Sequence, residues 1–139
     1  MNNMHEILNN QKKFYLDNGA PSYELRIDRL NRVKDVVLTN KDRIVDALNE
    51  DFGVRSKNQS MMTDVYSIIP DIEYTKKNLR KWMKISNRKV SFPFNLLGGK
   101  AFVRYEPLGT VGMISPWNFP VNLTFCLLYT SDAADDSAC

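Results

Sequence analysis

The 139-residue chain contains only one histidine and two cysteines. Two cysteines, Cys126 and Cys139, are too few for a disulfide framework in a chain of this size. No stretch approaches the roughly 20 apolar residues of a membrane span, and no early apolar run resembles a signal peptide. His5 lies near the N-terminus without a partner pattern, so the sequence indicates neither a metal site nor a histidine-based triad. These absences favour a soluble, cytoplasmic protein.

The overall composition is that of an ordinary globular domain. With 139 residues, of which 43% are hydrophobic, the chain is long enough and apolar enough to form one hydrophobic core. Charged residues make up 25%, the average for soluble globular proteins. The net charge of +3 is too small by itself to imply a polyanionic partner.

The charge is nevertheless unevenly placed. Between Tyr74 and Tyr105 there are nine basic residues and no acidic ones: Lys76, Lys77, Arg80, Lys81, Lys84, Arg88, Lys89, Lys100 and Arg104. With Trp82 among them, these residues fit a small basic helical binding module for nucleic acid or an anionic surface. They also fit a solvated helix face whose lysines pair with acids elsewhere in the fold. Both interpretations stay open on composition alone.

Three apolar patterns with helical spacing occupy the first half of the chain. The first follows Ser22 and comprises Tyr23, Ile27, Leu30, Val33 and Val37. The second comprises Ile44, Ala47, Leu48 and Phe52, with Asn40 as its expected N-cap and Gly53 as its left-handed C-terminal residue. The third, a long one, comprises Met62, Val65, Ile69, Ile72, Leu79 and Met83. Pro70 should kink this third helix or mark its true start.

The pattern changes after Ser86. Residues 86–99 contain helix breakers and predict a connector with one short strand. Ala101, Val103 and Tyr105 alternate with other residues, as in a two-faced strand. Residues 110–115 resemble a short strand that is buried on both faces, which is typical of parallel sheets in α/β proteins. Pro120 should then open a helix at its first turn.

The predicted junction of strand and helix is the candidate site. Ligands of open α/β sheets bind beyond the carboxyl ends of the strands, where Ser115, Pro116, Trp117 and Asn118 lie. The Asn118 amide has two possible roles: it stabilises a developing oxyanion, or it holds the turn together. Trp117 is open to packing or to cofactor contact. No glycine-rich dinucleotide motif or phosphate loop accompanies these residues.

The stretch YEPLGTVGMISPWNFPVNLTF, residues 105–125, closely resembles the start of the coenzyme-binding domain in the aldehyde dehydrogenase superfamily. The upstream segments GAPSYELRIDRL, NEDFGVRS and NLRKWMK are most similar to the branch that includes coniferyl aldehyde dehydrogenases. The resemblance covers nearly everything from the N-terminus to Phe125. It is carried by several motifs in order, which makes it far more specific than an isolated motif.

The resemblance implies an α/β fold, in which a helical N-terminal layer precedes the first strands of a Rossmann-like coenzyme-binding domain. It implies NAD- or NADP-dependent oxidation of a small-molecule aldehyde to a carboxylic acid, a homodimer and no nucleic-acid partner. Asn118 matches the family asparagine that helps to hold the oxyanion. The residues that match the segment beside the nicotinamide are Ile114, Ser115, Pro116 and Trp117.

The same resemblance divides the chain. It predicts a helical N-terminal segment at 1–85, a connector and strand at 86–106, and the start of the NAD(P)-binding domain at 107–125. The family's nucleophilic cysteine and general-base glutamate lie beyond these residues, so the chain by itself should be inactive. Cys126 cannot replace that cysteine, because a position eight residues past Asn118 is up to about 12 Å away along a helix axis.

The last segment, 126–139, is predicted to be non-native. Its sequence CLLYTSDAADD resembles the in-frame translation of a transposase adapter used in sequencing libraries. A natural divergent tail is the alternative. Because apolar periodicity stops after Tyr129, we expect weak packing and disorder from about Ser131 onward.

Overall fold

The computed structural model describes residues 2–107 and 109–133. Helices dominate these residues, and one two-stranded sheet follows them. The elements are α1 (Asn2–Asn18), α2 (Tyr23–Thr39), α3 (Lys41–Phe52), α4 (Lys57–Ser60), a π-helix (Met61–Tyr66), α5 (Ile68–Trp82), β1 (Ser86–Arg88), β2 (Ala101–Val103) and α6 (Pro120–Ala133). The core lies where α2, α5, the π-helix and α6 meet, and residues 22–82 are called the helical layer below.

Helix α2 confirms the first apolar pattern. Ser22 caps the helix, since its Oγ accepts a hydrogen bond of 3.2 Å from the backbone N–H of Leu25. Leu30 and Val37 are buried in the core, and the other three members of the stripe pack against it. Because an apolar side chain recurs every three or four residues, one face of this helix lies inside the protein.

Helix α3 corrects part of the second pattern. Val45 and Leu48 are the buried residues, whereas Ala47 is exposed. Asn40 precedes the helix as predicted, but its side chain makes no cap there; its Nδ2 donates instead to the carbonyl of Val36 at the end of α2. Gly53 has a φ of 69° at the C-terminus of α3, which confirms the left-handed position.

The third pattern covers two consecutive elements, the π-helix and α5, and not one long helix. Pro70 is the third residue of α5, so it lies in the first turn, where its missing N–H is not needed. Val65, Ile68, Ile72 and Leu79 form the buried face. Met62 is exposed and Ile69 only half-buried, because the inner face passes through the neighbouring Ile68.

The chain leaves the helices through an antiparallel pair of strands. β1 pairs with β2 in a register that sets Asn87 opposite Phe102, as expected for a connector with one short strand followed by a two-faced strand. The strand predicted at 110–115 is wrong: those residues have no regular secondary structure, and Val111 and Ile114 are exposed. A parallel strand needs hydrogen-bonding neighbours, and among residues 2–107 and 109–133 the only strands are β1 and β2.

Helix α6 begins at Pro120 as predicted and packs against α5 and the π-helix. Cys126 of this helix is buried in the core. Residues 131–133 continue the helix, contrary to the disorder expected from Ser131, and residues 134–139 lie outside the described residues. Within the part of the chain that the structure describes, no helix is both long enough and apolar enough to cross a membrane.

Candidate functional site

The five residues predicted to form the site lie consecutively in an irregular stretch before α6. Residues 114–118 are called the Asn118 turn below. The side chains of Ile114 and Trp117 extend into solvent, with 94% and 88% of their surface exposed, and Asn118 is exposed as well. The turn therefore presents an apolar aliphatic chain, an indole and a neutral amide side by side on one short piece of backbone.

Ser115 differs from its neighbours because its hydroxyl is used inside the protein. Its Oγ donates to the carbonyl of Pro120 at 3.1 Å, and it accepts from the hydroxyl of Thr124 at 2.8 Å. The Thr124 hydroxyl also lies 2.6 Å from the same Pro120 carbonyl. These contacts fasten the start of the turn to the first turn of α6, so Ser115 has a structural role in this arrangement.

The N-terminus of α6 is capped by a residue far away in sequence. Pro120 has no N–H, and the preceding Phe119 carries no side-chain acceptor. Asp64 of the π-helix supplies the acceptor: its Oδ1 lies 3.2 Å from the backbone N of Val121 and 3.3 Å from that of Asn122. The buried carboxylate thus satisfies the free amides of the helix and complements its positive end.

Arg55 balances the charge of Asp64 and reaches the Asn118 turn. Its Nη2 donates to Oδ2 of Asp64 at 2.6 Å, and the two side chains are only 7% and 0% exposed. Its Nη1 donates to the backbone carbonyl of Asn118 at 3.0 Å. The guanidinium also lies over the rings of Phe52 and Phe119, at 5.0 and 5.1 Å from their centroids.

Sequence reasoning missed this pair. Asp64 lies between Met62 and Val65, where an amphipathic helix ordinarily carries a polar residue, so the local sequence gives no signal of its burial. Nothing in the local sequence of Arg55 indicates a contact with residue 118, because that contact spans 63 positions.

The side-chain amide of Asn118 has no hydrogen bond to any residue that the structure describes; the contact to Arg55 uses its backbone carbonyl. The turn is held by Ser115, Thr124, Arg55 and Asp64. The turn-holding interpretation of the Asn118 amide therefore lacks support from the contacts, and the amide is available to a ligand.

Comparison with known proteins identifies the family. The profile of the Aldehyde dehydrogenase family matches residues 7–131. The chain belongs to the aldehyde dehydrogenase family. The match includes 126–131, the first six residues of the segment predicted to be non-native, so the boundary of that segment stays a prediction.

Several relatives that match the chain carry coniferyl aldehyde in their names. The chain is 43% identical over 136 residues to a probable coniferyl aldehyde dehydrogenase of Caulobacter vibrioides, covering 97% of this chain and 28% of that protein. It is 39% identical over 118 residues to a coniferyl aldehyde dehydrogenase of a Pseudomonas species, covering 85% of this chain and 24% of the relative. The chain thus spans about a quarter of the length of these relatives.

A solved structure shows the same fold. Staphylococcus aureus AldH in a substrate-bound state superposes with a TM-score of 0.81 and 25% sequence identity, over 94% of this chain and 28% of that one. The helical layer and the small two-stranded sheet therefore form the N-terminal part of the aldehyde dehydrogenase fold, which confirms the predicted fold class despite the wrong strand at 110–115.

Other features of this family member lie apart from the Asn118 turn. An open groove of about 860 Å³ lies between α1, α2, residues 109–113 and α6, and none of residues 114–118 lines it. Cys126 is buried in the core and is not exposed to a substrate. Among the described residues, no three His, Cys, Asp or Glu side chains are grouped closely enough for a metal ion.

Three of the nine basic residues between Tyr74 and Tyr105 have an acidic or aromatic partner within the chain. Lys76 pairs with Glu73, Arg80 lies over the ring of Tyr23, and Arg104 pairs with Glu106. Such contacts favour the interpretation as a helix face over a nucleic-acid surface, and the absence of a nucleic-acid partner stays a prediction.

Proposed function

We propose that this chain is the N-terminal part of an NAD(P)-dependent aldehyde dehydrogenase that oxidises an aldehyde to a carboxylic acid. The observation that supports this most directly is the Asn118 turn. In a chain of this family, the backbone of Asn118 is anchored by Arg55 while its side-chain amide stays exposed and without a partner among the described residues.

In this proposal Asn118 donates a hydrogen bond to the aldehyde oxygen as negative charge develops on it. A donor that is fixed before the reaction stabilises the oxyanion without reorganising, which is the source of its advantage over water. An uncharged donor suits this oxidation, because a full positive charge would hold the alkoxide so tightly that hydride departure would be opposed.

The Asn118 turn fits one part of a dinucleotide cofactor. NAD or NADP would supply the hydride acceptor when bound. The exposed side chains of Ile114 and Trp117 offer an apolar surface for a flat ring. The N-terminus of α6 does not suit the cofactor's phosphates, because Asp64 already occupies its free amides with a negative charge.

We infer that the substrate is an aromatic aldehyde such as coniferyl aldehyde, because several relatives carry this name. The proposal also includes a cytoplasmic, homodimeric enzyme whose cysteine nucleophile and general-base glutamate lie outside the present 139 residues. The chain by itself is then inactive.

The test uses the full-length protein encoded by the gene. The purified protein is mixed with NAD or NADP and with coniferyl aldehyde or hexanal, and formation of the reduced cofactor is followed at 340 nm alongside chromatographic detection of the acid. We expect turnover with a higher kcat/KM for coniferyl aldehyde. The matched control is the 139-residue chain, which should give none.

The absence of both cofactor binding and acid formation in the folded full-length protein would overturn the proposed activity. Faster oxidation of hexanal than of coniferyl aldehyde would overturn only the substrate assignment.

A further inference from the structure

The helical layer contains a buried ion pair whose contacts point out of the layer. Arg55 and Asp64 are 8% and 0% exposed, and burying two charges is costly unless they pair and their polar atoms find partners. Among the polar side-chain atoms of this pair, only Nε of Arg55 lacks a hydrogen-bond partner within the described residues. Packing of the helices alone does not call for such a pair, since apolar residues of similar volume would fill the same space. The partners of the pair therefore indicate what it does.

Most of those partners lie at the junction between the Asn118 turn and α6. Oδ1 of Asp64 accepts from the backbone amides of Val121 and Asn122, which lie two and three residues after Phe119. Nη1 of Arg55 donates to the carbonyl of Asn118. The backbone is thus held at the asparagine itself and again at the first turn of the following helix.

The two anchors are also coupled to each other. Arg55 Nη2 and Asp64 Oδ2 are joined directly at 2.6 Å, and the hydroxyl of Thr63 contacts both groups, at 2.6 and 3.1 Å. Since the guanidinium lies over the Phe119 ring, it cannot shift without disturbing the residue next to Asn118. A movement at either side chain is therefore transmitted to the turn.

We propose that Arg55 and Asp64 are positioning residues for Asn118: they fix its backbone from the helical layer so that its amide is held ready for the aldehyde oxygen. This inference rests on the proposed function of Asn118. Neither side chain touches the substrate. A planar guanidinium that makes several hydrogen bonds at once suits this role, and a lysine ammonium would not reproduce them.

The first experiment examines the turn without any activity. Backbone NMR relaxation and amide exchange are measured on the 139-residue chain for the parent sequence, Arg55→Lys and Asp64→Ala. For Arg55→Lys we expect larger motion at Asn118 while Val121 and Asn122 stay protected, since a positive charge remains beside Asp64. For Asp64→Ala we expect about tenfold lower protection of Val121 and Asn122, the loss of one hydrogen bond each.

The controls lie close to the site. Leu123 is an internal reference, because its amide bonds to the carbonyl of Phe119 and not to Asp64. Lys57→Arg is the matched control variant, since Lys57 forms an exposed ion pair with Asp46 at 2.6 Å and should leave Asn118 unaffected. If Asp64→Ala fails to fold, Arg55→Lys still tests the inference, with amides of α5 reporting that the layer is intact.

The second experiment uses a double-mutant cycle in the full-length enzyme. A displacement of about 1 Å at a catalytic group costs up to about 10²-fold, so we expect Arg55→Lys to lower kcat by about 10- to 100-fold with little change in cofactor affinity. In a background that already contains Asn118→Ala, the same change should have almost no further effect on kcat, because the amide it positions is gone.

The outcomes separate this inference from the proposed function. An unchanged Asn118 in Arg55→Lys, or kcat effects that multiply in the double variant, would overturn the positioning role even if the enzyme is an active dehydrogenase. A full-length protein without dehydrogenase activity, combined with a loosened turn in Arg55→Lys, would overturn the proposed function while the anchoring of the turn stands.

Discussion

The helical layer and the exposed segment that follows it, the described residues 84–107 and 109–119, contain comparable apolar side chains but bury them very differently. In the layer, Ile68 and Ile72 are completely buried. In the exposed segment, Leu97 and Ile114 keep 80% and 94% of their surface accessible. The layer also has capped helices, whereas the exposed segment contains three-residue strands, turns and irregular backbone.

This difference shows where each region finds its packing partners. The layer completes its core from helices within about 60 residues of one another, together with α6. The apolar residues of the exposed segment have few partners among the described residues, and the chain spans about a quarter of its relatives' length. If the proposed function holds, we expect these side chains to find their packing partners outside the present 139 residues.

The largest expected effect tests this contrast directly in the 139-residue chain. Ile72→Ala removes a fully buried side chain and should lower the free energy of unfolding by about 2–5 kcal/mol. Phe94→Ala, which changes a larger side chain that is 62% exposed, should change it by less than about 0.5 kcal/mol. Urea denaturation of both variants measures the two values. A similar loss for both would show that residues 84–119 already share the core.

The second prediction concerns Asn118, the residue of the exposed segment to which the proposed function assigns the oxyanion. In the full-length enzyme, Asn118→Ala should lower kcat by about 10²–10³-fold, equivalent to roughly 2.7–4 kcal/mol, because one oxyanion donor is lost. Cofactor affinity and melting temperature should change little, since the turn is held by other side chains. A lower melting temperature with normal turnover per folded molecule would instead support the turn-holding role.

The third prediction compares one glycine from each region. Gly53 ends α3 with a φ of 69°, so Gly53→Ala should cost about 1–2 kcal/mol of unfolding free energy from the left-handed conformation alone. Gly112 lies in the exposed segment with open space around it and no positive φ. Gly112→Ala should be neutral or stabilising by up to about 1 kcal/mol. Equal destabilisation by both changes would contradict the assigned backbone conformations.

The smallest effect belongs to the surface of the helical layer. Hydrogen bonds from Lys34 and then Lys76 lower the pKa of Glu73 below its ordinary value. Glu73→Gln should therefore cost only about 0.2–1 kcal/mol at neutral pH, since the carboxylate is partly exposed. A carboxylate whose pKa is lowered in the folded state stabilises the protein at pH values above its unfolded-state pKa. This stabilisation is lost as the pH falls through the folded-state pKa. Denaturation at pH 7 and pH 3 should show the difference between parent and variant shrinking; a constant difference would contradict the ion pairs.

The helices of the layer were predictable because their information is local. A spacing of three or four residues placed Leu30 and Val37 on the inner face, and Gly53 and Pro120 marked helix boundaries correctly. Periodicity could not choose between the adjacent Ile68 and Ile69, since both fit the spacing within one position. The π-helix before them was not predicted either, because no simple residue pattern encodes it.

The prediction for the exposed segment was wrong for the opposite reason: its structure depends on residues that are distant in sequence. Residues 110–115 have the composition of a buried parallel strand, but strand formation depends on neighbours that residues 2–107 and 109–133 do not provide. The candidate site was located at the predicted junction of strand and helix, and the resemblance of residues 105–125 then assigned roles to its residues. Its support by Arg55 and Asp64 was not found, because it joins residues about 60 positions apart whose pairing becomes visible only in three dimensions.

The cap on α6 has a consequence for engineering. Asp64 and the helix it caps are separated by 57 positions, yet they operate as one unit. A chimera of two family members with its crossover between residues 65 and 114 would take the acid from one parent and the helix start from the other. Such hybrids should express poorly when the parents differ in the acid's side-chain length, whereas crossovers before residue 55 inherit both halves together. Recombination of this chain with a relative should therefore take residue 64 and the start of α6 from the same parent.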